Sequence, residues 1–96
     1  MNRTYLSRWA NMRLAHIKEN RPQLYESLQN ENRLMDYLMK FEMQAQSMLM
    51  VIQEQMREAD GITGELKRAN PLEWVCRMNN VRNRAEEIII IELVNE

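Results

Sequence analysis

Between Asn32 and Asp60 the sequence holds neither glycine nor proline. Across this stretch Leu34, Leu38, Phe41, Ala45, Met48, Ile52 and Met56 recur in steps of four, three, four, three, four and four. That spacing lays one apolar stripe along a single helix, which at 1.5 Å per residue is about 40 Å long. In a chain of 96 residues, a helix of this length has to be the element on which the others pack. Two glycines and two prolines leave little material for turns, so the rest of the chain reads as few, long elements. The expected fold is all-α, a small helical bundle around one long central helix with short connecting helices.

Punctuation sets the other boundaries. Thr4 is placed to cap a first helix over residues 4–20, with Leu6, Trp9, Met12 and His16 or Ile17 at helical spacing. Pro22 opens a short helix over 22–29 that presents Leu24, Tyr25 and Leu28, and the tract "NEN" ends it. After the central helix at 32–60, Asp60-Gly61 supplies a stop and Thr63 caps a turn of helix over 63–69. Asn70-Pro71-Leu72-Glu73 reads as cap, first-turn proline and third-position acid of a last helix over 71–94. The β-branched run "EIIIIELV" has no second strand to pair with and stays helical. All five helices belong to one domain, 1–96, whose core buries about 60 to 65% of the unfolded chain's surface.

The formal charge of −1 is unevenly spread: Met1 to Arg33 carries +3, Leu34 to Leu66 carries −4, and the remainder is neutral. Such a chain has no global field that attracts nucleic acid, and binding of that kind would need a local patch. One cysteine, Cys76, and one histidine, His16, exclude an internal disulfide and the usual zinc spacings. A reducing cytoplasm is the expected compartment. The longest aliphatic run, Ile88 to Ile91, is far too short to span a membrane.

Three segments carry a resemblance: "KENRPQLYESL", "DGITGELKRANPLEWVCRMNNVRNRAEEI" and, most specifically, "LKRANPLEWVCRMNNVRNRAEE" from Leu66 to Glu87. Together with the order of elements they resemble TnpV, a family of small proteins encoded on bacterial transposons and related integrative elements. The likeness covers roughly Trp9 to Val94. Members of the family carry a longer leader before the first helix than this sequence does, and nothing resting on that leader is carried over. The resemblance implies a mobile element as the genomic setting. It supplies no catalytic residues.

Within the last helix, "CRMNNVRNRAEE" spends three asparagines at interior positions, each costing roughly 0.5 to 0.7 kcal/mol relative to alanine. Trp74, Met78, Val81, Ala85 and Ile88 fall on one face and read as core; Asn79, Asn80 and Asn83 fall opposite, with Arg77 and Arg84 on a flank. One account pairs Arg82 with Glu86 and Arg84 with Glu87 inside the helix, at about 0.2 to 0.5 kcal/mol each, too little to offset the asparagines. The other makes Arg77, Asn80, Asn83 and Arg84 a hydrogen-bonding surface for a partner, extended by Ile90, Ile91 and Val94 as an apolar patch on the same outer side. That patch also suits a two-fold homodimer. Met35, Met39, Met43 and Met50 form a second stripe on the long helix, displaced from the first, which reads as further core packing.

His16 has no companions for metal binding or base catalysis, Cys76 has no nearby histidine, and Gly61 and Gly64 cannot build a phosphate loop. No catalytic, cofactor or metal residues are expected, and the chain reads as a non-enzyme. The functional expectation is a mobile-element regulator that contacts a larger nucleoprotein machine, either the element's recombinase or a host defence such as a CRISPR nuclease. A DNA-binding accessory factor for excision or transcription is the second reading, since arginine and asparagine suit guanine and adenine edges.

Overall fold

The computed structural model describes residues 7–96. Five α-helices follow in order: α1 (Arg8–Asn20), α2 (Pro22–Asn30), α3 (Leu34–Ala59), α4 (Gly64–Ala69) and α5 (Pro71–Ile89), closed by a π-helical turn at Ile90–Val94. No strand occurs among the described residues, and the fold is all-α with α3 as the long central element. The expected cap at Thr4 and the contact of Leu6 lie outside the described residues.

Local chemistry sets the helix ends. Thr63 accepts a hydrogen bond from the Leu66 N–H and Asn70 from the Glu73 N–H, both at 3.2 Å, while Pro22 and Pro71 occupy first helical positions where a missing N–H is harmless. Helix α3 stops because Gly61 adopts φ of +68°. That turn lets the Ile62 N–H reach Arg57 O at 3.0 Å and the Gly61 N–H reach Glu58 O at 3.1 Å. Asn32, at φ of +58°, closes α2 in the same way, with the Arg33 N–H on Leu28 O at 2.8 Å. Asparagine is among the few side chains that tolerate this region.

The expected seam of α3 is the core. Leu38, Phe41 and Ala45 are buried and Leu34, Met48, Ile52 and Met56 half-buried. Around Phe41 and Ala45 gather Trp9 from α1, Ile89 from α5 and Val94 from the π turn. Helix α1 packs on α3, α5 packs on α3 along another length, and α4 lies against α5. The result is elongated, 55 × 32 × 16 Å, with a radius of gyration of 17.1 Å where a compact chain of this length would have about 12.5 Å.

Two charged side chains share the core's helical spacing: Arg13 lies four residues from Trp9 and from Ile17, and Glu42 four from Leu38 and three from Ala45. Glu42 is buried, and its Oε1 accepts the Ala10 N–H at 2.8 Å while Oε2 takes Gln46 at 2.7 Å. Ser7 makes no side-chain cap on α1, so a carboxylate from α3 satisfies one of the orphan donors at the N-terminus of α1. Arg13, also buried, does the converse. Its Nη1 donates to Val94 O at 2.9 Å and Glu96 O at 3.4 Å, its Nε to the Tyr37 hydroxyl at 2.9 Å, and its guanidinium lies 5.3 Å from the Phe41 ring centroid. A cation thus closes the carbonyl end of the final turn.

Two expectations are corrected. The methionine stripe of α3 is not core, since Met35, Met39, Met43 and Met50 are all exposed. The apolar patch of Ile90, Ile91 and Val94 does not exist as a surface. Val94 is 1% exposed and belongs to the core, Ile90 is half-buried against it, and only Ile91 stands in solvent. The cause is the π turn, in which the Asn95 N–H bonds to Ile90 O at 3.1 Å, five residues back. Each π turn takes up more than 3.6 residues, so Val94 falls beneath Ile89 where a continued α-helix would turn it away. Ile89, fully buried, replaces the half-buried Ile88 as the last member of the α5 seam.

Candidate interaction site

Helix α5 is held on three sides, which leaves one long face free. Val81, Ala85 and Ile89 face the core, with Trp74 and Met78 half-buried. Lys67 of α4 sits 4.6 Å from the Trp74 ring centroid. At the other end Glu86 receives Arg8 of α1 at 2.9 Å and Arg82 of its own helix at 3.6 Å. Arg84 crosses to Asp60, just beyond the end of α3, at 2.5 Å.

Among the proposed partner residues, Arg77 and Asn80 meet along an open groove of about 480 Å³, with Asp60, Glu73 and Cys76 completing its walls. Arg77 pairs loosely with Glu73 at 3.7 Å. Asn83 is exposed one turn farther on, and Arg84 borders the groove through its bond to Asp60. The anticipated Arg82–Glu86 pair forms, whereas Arg84 takes the longer-range partner Asp60 in place of Glu87. Ile91 lies beyond this cluster, and Ile90 and Val94 are not part of it.

Asn79, Asn80 and Asn83 are exposed, and none makes a side-chain hydrogen bond among the described residues. The helix therefore carries about 1.5 to 2 kcal/mol of unfavourable propensity that no internal contact offsets. Two further members of the face are Leu72, 75% exposed, and Val75, 45% exposed. The signal for them was present in the spacing Leu72, Val75, Asn79, which runs along the helix off the Trp74–Met78–Val81 seam. Cys76, in the groove wall beside Asn80, is a free, exposed thiol.

These features define the class: a small all-helical protein with a rigidly held helix that presents amides and a few apolar side chains to solvent. The chain belongs to the family of the transposon-encoded protein TnpV, whose model matches residues 1–94. No curated protein and no solved structure matches it. No described helix is long and apolar enough to cross a membrane.

Proposed function

We propose that this protein is a non-enzymatic regulator, encoded on a mobile element, that works in the cytoplasm by seating the outer face of α5 on a protein surface of a larger nucleoprotein machine. The element's own recombinase and a host defence complex such as a CRISPR nuclease are the two kinds of machine in view. The observation that supports the reading is the set of exposed, unbonded asparagines at Asn79, Asn80 and Asn83 beside the apolar Leu72 and Val75. Amides supply both donors and acceptors to backbone or polar side chains, and the two aliphatic residues provide area to desolvate. The partner's contacts would then offset the propensity that the free helix gives up.

The DNA-binding alternative needs cations free for phosphates. Arg77, Arg82 and Arg84 each lie within 4 Å of a carboxylate, Glu73, Glu86 and Asp60 respectively, and Glu87 adds a further negative charge to the same helix. This favours the protein-contact reading. The test is capture of the recombinase or nuclease from cells that carry the parent element, using the intact chain and the variant Asn80→Ala with Asn83→Ala. Retention by the intact chain and loss by the variant is the expected result. A salt-sensitive shift of random duplex DNA, with no protein retained, would replace this function by the DNA-binding one.

A further inference from the structure

The face of α3 that points away from the core is unusually apolar for a surface. Met39 is 56%, Met43 70% and Met50 70% exposed, with Met35 and Val51 beside them at 40% and 56%. Asp36, Met39, Met43, Gln46, Met50, Gln53 and Arg57 follow one another in steps of three and four, the spacing of a helix that lies along another helix. The stripe runs about 32 Å at 1.5 Å per residue. Within the chain α3 spends its opposite side on α1, α2 and α5.

We propose that this stripe binds a second copy of the chain, the two α3 helices running antiparallel about a two-fold axis between Gln46 and Ser47. The order of charges along α3 points to this register. Each end of the stripe carries an ion pair in the order acid then base: Asp36 with Lys40 at 3.2 Å, and Glu54 with Arg57. Antiparallel pairing sets Asp36 against Arg57 of the partner subunit and Lys40 against Glu54 of the partner subunit. The same register brings Met43 onto Met50 of the partner subunit and leaves the amide of Gln46 at the axis. Parallel pairing would oppose like charges throughout.

The chain as a whole exposes more surface than a compact monomer of its mass. The chain exposes 6975 Å² at a mass of 11.6 kDa, whereas a compact monomer of that mass exposes about 5,800 Å². That excess belongs to the whole elongated chain, 55 × 32 × 16 Å, and pairing along α3 covers part of it. Methionine suits such a seam because its unbranched side chain adapts to a neighbour's shape. An isologous contact closes on itself and produces a dimer.

Sedimentation equilibrium of the full chain through the micromolar range should return twice the 11.6 kDa chain mass. Met43→Glu with Met50→Glu should raise the dissociation constant by about 100-fold or more, as expected for charges placed at the centre of an interface, without loss of the helical circular dichroism signal. Lys40→Glu should weaken the dimer, and adding Glu54→Lys should restore it. In a Cys76→Ser background, Ser47→Cys lies beside the axis and should cross-link two native chains on mild oxidation. A wild type that is monomeric throughout overturns the proposal. So does a dimer indifferent to the methionine and charge substitutions, or one dissolved by Ile91→Glu, which would place the interface on the last helix.

Discussion

Arg13 and Glu42 show how single polar side chains can hold helix ends that have no caps of their own. Arg13→Met should cost about 2 to 3 kcal/mol, the scale of hydrogen bonds that involve a charged group, and urea unfolding measures it. Glu42→Ala should cost about 1 to 2 kcal/mol through the lost cap, while Glu42→Gln, which keeps an acceptor for the Ala10 N–H, should cost less. A methyl group at Gly61 would meet no atom within 4 Å, so Gly61→Ala isolates the backbone contribution; the left-handed conformation should make it about 1 to 2 kcal/mol destabilising. At the end of α3, hydrogen bonds from Arg57 hold the Glu54 carboxyl below the usual glutamate range, with the nearby guanidinium charge adding to the effect. A depressed carboxyl contributes stability above its unfolded pKa and loses it as pH falls through the folded value. The carboxyl resonance of Glu54 should accordingly titrate low, and Arg57→Ala should move it upward.

At the scale of the element, α5 and its π turn separate what stabilises from what is displayed. Asn80→Ala with Asn83→Ala should leave the melting temperature unchanged or raise it, because neither amide bonds to another of the described residues and alanine is the better helix former. A large drop would mean that these amides support the fold. Val94→Glu and Ile91→Glu, three residues apart, should behave oppositely. The first puts a carboxylate into the cluster of Trp9, Phe41, Ala45 and Ile89 and should unfold much of the protein. The second stays in solvent and should fall within about 0.5 kcal/mol of wild type. Thermal melts of the two variants read this directly, and equal tolerance of both would show that the π turn does not bury Val94 in solution.

The whole molecule is a long helix with the others laid along it, and a cluster of buried side chains lies where α1, α3, α5 and the π turn meet. Phe41 sits at that point, 7% exposed, and Phe41→Ala should cost about 3 to 5 kcal/mol in denaturant unfolding. Its neighbours in the cluster, Trp9, Ile89 and Val94, are enclosed at least as fully. Substitution at the exposed Leu72, by contrast, should move partner capture and leave stability nearly unchanged.

Much of this was legible from residue order alone. The helices, their caps at Thr63 and Asn70, the stop at Gly61, the α3 seam and the outward asparagines all follow from contacts within about five residues along the chain, where spacing and side-chain type fix the geometry. The burial of Arg13 and Glu42 was not legible, because each is satisfied by a helix end from a distant part of the sequence, 81 residues away for Val94 and 32 for Ala10. The same holds for the last turn. Ile88 to Ile91 and Val94 are alike enough that their order does not say which faces inward, and only docking against Trp9 and Phe41 selects the π turn that buries Val94 and frees Ile91. The methionines of α3 carried the opposite ambiguity, since methionine serves core and surface equally, and the number of neighbours around a helix is a property of the assembled fold.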